Sequence, residues 1–169
     1  MATFSSYVRS ALFSLLVIST AASAQTRAVD LPPHIPSGCV AEAAQRYVLP
    51  QVVLLSIMKV ESGGKVGVVG KNTNGTKDYG PAQLNSNSWA KVMTQKFGIS
   101  VDEMTNNMCQ ALMSQAYAIR SEWNGCIQSG NPDVWCAVAR YHSPTKKYQA
   151  IYVNKVWIAS QNMVRDGRF

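Results

Sequence analysis

The chain has 169 residues, of which 47% are apolar, 15% charged and 9% aromatic, and it carries four cysteines and a formal net charge of +7. These proportions exclude a disordered chain, a collagen-like repeat and a polytopic membrane protein. They suit one domain with a core of its own.

Residues 1–24 read as a secretory signal peptide. Arg9 supplies the positive charge, Ala11 to Ala22 (ALFSLLVISTAA) the apolar run, and Ala22-Ser23-Ala24 the small-residue cleavage site. The apolar run is 12 residues long, whereas a bilayer span needs roughly 20, so a cleaved signal is expected rather than a permanent membrane span. The mature chain then starts at Gln25 with 15 basic and 9 acidic side chains, a net charge of +6 that favours an anionic partner. Export to the periplasm is expected. Residues 25–38 form a Pro-rich lead-in (LPPHIPSG), and the domain proper is expected over 39–169.

A short helix is expected from Cys39 to Val48. Pro50 suits the start of the next, in which Val52, Val53, Leu54, Leu55, Ile57, Met58 and Val60 are apolar nearly all round, the pattern of a buried helix. That helix should stop at Glu61-Ser62, because Gly63 and Gly64 follow. Residues 65–85 have no helical period, and their glycines and the Asn74-Gly75 turn predict a small irregular β-hairpin. Ser86 or Ser88 should cap a helix through Phe97, and Asn107 one that reaches Trp123 and ends at Gly125. Asn131-Pro132 and Ser143-Pro144 open two more, running to about Tyr141 and Val164. The fold class is mainly α with a small β-hairpin.

Cys39, Cys109, Cys126 and Cys136 form an even set in an exported chain, which argues for two disulfides. Three pairings are possible. The short NGCIQSGNPDVWC segment favours Cys126 with Cys136, and hence Cys39 with Cys109. A zinc site is disfavoured, since there is no C-x-x-C pair and the only histidines are His34 and His142. No metal and no organic cofactor are implied.

Glu61 closes the apolar run LLSIMKV, so greasy surroundings should penalise its charge and raise its pKa. A carboxylic acid still protonated near neutral pH can protonate the leaving oxygen of a glycosidic bond. Position alone favours a glutamate that only solvates a helix end, since helix ends are often acidic or polar.

The stretch KVESGGKVGVVGKNTNGTKDYGPAQLNSNSW resembles the core of the lysozyme superfamily. It has an E-S pair at a helix end, a polar N-x-x-G-x-x-D-x-G hairpin and a G-x-x-Q-[IL]-N-S segment. With WCAVARY and the ARYHSP segment at Ala139 to Pro144, it is similar to the small secreted lytic transglycosylases that accompany type IV secretion and conjugation systems. The resemblance runs from about Cys39 to Val156. It implies a lysozyme-like fold acting on the glycan strands of peptidoglycan, with Glu61 as the catalytic acid/base and Ser62 supporting the site. It further implies that Gly80, Gln83 and Asn85 line the saccharide cleft and that Tyr141 faces the catalytic carboxylate from a later helix. A monomer is expected, with components of a secretion or conjugation apparatus as partners.

Asp78 lies 17 positions after Glu61, the offset of the second carboxylate in animal C-type lysozymes. It is therefore a candidate second carboxylate for a hydrolytic muramidase, or else a hairpin aspartate accepting backbone N–H groups. In the transglycosylase branch a single glutamate suffices, protonating the leaving oxygen and then deprotonating the C6 hydroxyl of muramic acid, which closes a 1,6-anhydro ring. A third reading is an inactive peptidoglycan-binding assembly subunit. After Tyr141 the chain reads His142-Ser143 where Y-N-x-G is commoner, so His142 is either a cleft residue or one at a helix boundary. Trp89, Trp123, Trp135 and Trp157 are expected in the core more than on sugar rings. No contiguous basic stripe supports nucleic-acid binding, and no G-x-S-x-G elbow supports a serine hydrolase.

Overall fold

The computed structural model describes residues 29–169. The signal peptide expected over 1–24 and the first residues of the lead-in lie outside the described residues. Seven helices and three short strands follow in the order α1 (Ser37–Tyr47), α2 (Gln51–Ser62), β1 (Val69–Lys71), β2 (Lys77–Tyr79), β3 (Leu84–Asn85), α3 (Trp89–Phe97), α4 (Val101–Asn106), α5 (Met108–Gln128), α6 (Val134–His142) and α7 (Lys146–Asp166). The fold is mainly α with a small antiparallel sheet, as its sequence predicts. The sheet has one strand more than a hairpin, because Leu84 and Asn85 return alongside β2.

Helix α2 is the buried element. Residues 53–58 are all shielded from solvent, and α1, α5 and α7 pack around them. Ser56 survives in this apolar setting because its hydroxyl donates to the Val52 carbonyl at 2.6 Å. The helix stops where expected: Gly63 takes the left-handed conformation (φ 65°), and its N–H closes onto the Lys59 carbonyl at 3.0 Å.

Two helices differ from expectation. Helix α5 runs through Gly125 to Gln128 instead of ending there. A Cβ at Gly125 would meet the Arg140 guanidinium at 3.4 Å, and the Cys126–Cys136 disulfide holds the extra turn against α6. Helix α4 was not expected at all, although Ser100-x-x-Glu103 forms a reciprocal capping box at its start. Ser88 occupies the cap position of α3 without making a capping bond, while Ser86 is drawn into the sheet, where its hydroxyl accepts from the Lys77 N–H. Asn107 caps α5 as predicted. The Asn131-Pro132 start is displaced slightly: Asp133 is the residue that caps α6, accepting from the Trp135 N–H.

Both disulfides have the favoured pairing, Cys39–Cys109 and Cys126–Cys136. The first joins α1 to α5, and the second joins α5 to α6. The end of the lead-in is packed into the domain, with Ile35 only 2% exposed. Asp30 and Arg168 form a parallel bridge, and the Asp30 N–H donates to the Gly167 carbonyl at 2.7 Å. Among the described residues no helix is long and apolar enough to cross a membrane.

Candidate active site

The last turn of α2 delivers Glu61 to the edge of the core. Burial pushes its carboxyl up to about 7; the neighbouring Asp78 charge also raises it, while a hydrogen bond from Tyr152 and the charge of Lys155 pull it down. Removal from water is the largest of these effects, which is the consequence expected of a glutamate ending an apolar helix. The Tyr152 hydroxyl donates to Oε1 of Glu61 at 2.5 Å. Burial beside Glu61 holds the Tyr152 phenol well above its ordinary pKa, so it remains a donor.

Tyr141, expected to face the carboxylate, lies near enough for the Glu61 charge to help raise its phenol pKa, while its hydroxyl donates to the Ala82 carbonyl at 2.6 Å. The phenol that meets Glu61 comes from α7. Sequence reasoning missed Tyr152 because it lies within an ordinary helical stretch, KKYQAIYVNKVW, with no local feature that separates it from a core aromatic.

Three consecutive carbonyls of the loop between β2 and β3 are each taken by a different candidate residue. Gln83 Nε2 donates to the Gly80 carbonyl at 2.8 Å, the Ser62 hydroxyl to that of Pro81 at 2.8 Å, and Tyr141 to that of Ala82. Ser62 also accepts from the N–H groups of Gly64 and Lys65. The loop is thereby locked to the end of α2 and to α6. Gly80 is required there: its φ is +67°, and a Cβ would lie 2.0 Å from the Met104 carbonyl oxygen.

Asp78 and Asn85 sit opposite each other in the β2–β3 register. Asn85 Nδ2 donates to Asp78 Oδ1 at 2.7 Å, and Asn72 Nδ2 donates to Oδ2 at 2.8 Å. Each carboxylate oxygen is therefore held by a side-chain amide. The hairpin role foreseen for Asp78 involved backbone N–H groups; the donors are side chains instead. Asn85 also donates to the Thr76 hydroxyl at 2.9 Å and accepts from the Asn87 N–H, so it organises the sheet around its turn.

At the other side of the site, the His142 ring lies flat on that of Tyr152, with centroids 4.2 Å apart. A pocket of about 410 Å³ opens beside Tyr141 and His142, bounded by Trp89, Arg140, Lys146 and Gln149. Trp89 thus borders a cavity while packing against the core, whereas Trp157, 46% exposed, stands edge-to-face on Trp135. Among the described residues no cluster of three or more His, Cys, Asp or Glu side chains is assembled to hold a metal ion.

Residues 38–152 match the family model described as the transglycosylase SLT domain. The chain is also 30% identical over 123 residues to Protein IpgF of Shigella flexneri, an overlap covering 70% of this chain and 76% of that protein. It is 30% identical over 116 residues to Protein IpgF of Shigella sonnei, covering 67% and 72% respectively.

Proposed function

The chain belongs to the transglycosylase SLT domain family, and from that premise we propose that it is an exported lytic transglycosylase. Its reaction is cleavage of the β-1,4 bond between N-acetylmuramic acid and N-acetylglucosamine in peptidoglycan. Glu61 first gives its proton to the leaving oxygen. The resulting carboxylate then takes the proton of the muramic acid C6 hydroxyl, whose oxygen attacks C1 and closes the 1,6-anhydro ring. Intramolecular attack needs no positioned water and gains from proximity what a diffusing nucleophile lacks.

The observation that carries this reading is the Glu61 carboxyl poised at about 7. An acid with that affinity for protons is well matched to donating and then recovering one near neutral pH. Tyr152 occupies Oε1, which leaves Oε2 for the travelling proton. The phenol's hydrogen bond favours the ionised state that exists between the two proton transfers, so it assists the second half of the reaction. The amide clamps on both oxygens of Asp78 support a structural carboxylate over a nucleophile. Ser62, Gly80, Gln83 and Tyr141 act by holding the 80–83 loop, whose remaining amide groups suit the hydroxyl and N-acetyl groups of a sugar.

The resemblance of ARYHSP to the small secreted transglycosylases supports a narrower role, local opening of the cell wall for a secretion or conjugation apparatus. The mature chain's net positive charge suits a wall whose stem peptides carry carboxylates. Mass spectrometry of muropeptides released from purified sacculi tests the reaction. Products with 1,6-anhydromuramic ends are expected; reducing ends would assign a muramidase, and binding without release an inactive subunit.

A further inference from the structure

Tyr152 reaches Glu61 from a helix whose start has no side-chain cap: Thr145 precedes α7 without capping it. The link from α6 is braced instead by Gln149, whose Nε2 donates to the Ser143 carbonyl at 2.8 Å. Gln149 is one turn before Tyr152, and His142 is the last residue of α6, so the brace fixes the two rings relative to each other. They are parallel to within 1°. A phenol oxygen lies on the axis of its own ring flip, so flipping does not displace it. Movement across the ring plane does, and a flat neighbour opposes that movement.

We propose that His142 is a positioning residue for Glu61, its ring face holding the Tyr152 phenol where its O–H meets the carboxyl. The proposal rests on the reading of Glu61 as the acid. The contact that the fold makes with the His142 ring is through its face, stacked on Tyr152. Lys155 on α7 and Asp78 on β2 are the charges that act on its titration, and Glu122, Arg140 and Lys146 border the same pocket. Partial burial, followed by Lys155, lowers the basicity of the imidazole while Asp78 opposes that, and the ring stacks in its neutral form near pH 7.

Three full-length variants, His142→Phe, His142→Asn and His142→Ala, separate a stacking role from a substrate contact. The readouts are kcat and KM on solubilised glycan strands, together with the Glu61 carboxyl titration followed by ¹³C NMR. Phe preserves a flat face and Asn preserves polarity. Aromatic pairing of ordinary strength corresponds to about three- to tenfold in rate. The expected result is that Asn and Ala lower kcat by that factor with KM nearly unchanged and raise the Glu61 titration midpoint, while Phe stays close to the parent in both. A raised KM that Asn rescues better than Phe would overturn the proposal in favour of direct sugar contact. Unchanged kcat and titration in all three would overturn it as well. Should Glu61→Gln retain turnover, the acid assignment fails; the titration shift in the His142 variants still reports separately on the ring contact.

Discussion

Asn85 donates to Asp78 across a directly paired position of the sheet, and Asn72 donates to the other carboxylate oxygen from the turn between β1 and β2. Under the single-glutamate mechanism proposed above, these two bonds give Asp78 the role of tying the sheet to the turn between β1 and β2.

Asp78→Asn is therefore expected to act through the sheet. Its new amide must offer N–H to one of two groups that are themselves donors, a mismatch costing about 1–3 kcal/mol. The melting temperature should fall and turnover should drop by roughly tenfold or less. A loss of several orders of magnitude with unchanged stability would show that Asp78 takes part in the chemistry.

Glu61→Gln should remove turnover of sacculi altogether, because an amide neither gives nor recovers the proton. Its effect on stability has a defined sign. The Glu61 pKa is raised from 4.5 to about 7 by folding, so the unfolded chain ionises first and the parent loses stability as pH rises through that window. Glutamine has no such dependence. Thermal melts from pH 4 to 9 should show the variant gaining on the parent as pH increases, with the gap levelling off about one unit above the folded-state pKa of about 7. For the same reason parent activity should decline as pH rises through about 7.

Tyr152→Phe and Tyr141→Phe should separate cleanly. The Tyr152 hydrogen bond lowers the Glu61 pKa, so its loss should move the alkaline limb of the pH profile upward and reduce kcat. Loss of the Tyr141 hydroxyl frees the Ala82 carbonyl and should raise KM by loosening the loop, leaving the limb where it was. Steady-state kinetics across pH would detect an exchange of these two signatures.

The oxidised protein should contain no free thiol, as alkylation of the denatured, unreduced chain would verify. The two bridges span 70 and 10 residues. In the chain-entropy account they contribute about 4 and about 3 kcal/mol. Replacing Cys39 and Cys109 together should lower the melting temperature more than replacing Cys126 and Cys136.

Much of this site was legible because its signals are local. Gly63 and Gly64 marked where α2 ends, the apolar run before them foretold the burial that raises Glu61, and Asn74-Gly75 marked the turn. What was not legible depends on distant partners. Tyr152 is 91 residues from Glu61 and resembles any helical aromatic until α7 is docked. The hydrogen-bond partners of Tyr141 and Tyr152 have the same origin, since only tertiary packing decides which phenol bonds a carbonyl and which a carboxyl. Gly125 looked like a helix end because its cost of about 1 kcal/mol is visible in sequence while the Arg140 contact and the nearby disulfide are not. The capping box of α4 was local and readable; its brevity, six residues, hid it among turn-like neighbours.

The contact between Glu61 and Tyr152 also makes the acid depend on the end of the chain. It closes a loop of 91 residues, at an entropic cost that local contacts do not carry. Until α7 docks, Glu61 lacks both its phenol and the helix that helps exclude water, so it behaves as an ordinary surface acid, ionised at neutral pH with no proton to give. Under the proposed export and reaction, a chain threaded unfolded across a membrane would emerge harmless to the wall around it, and would gain the power to cut only with its last long helix in place.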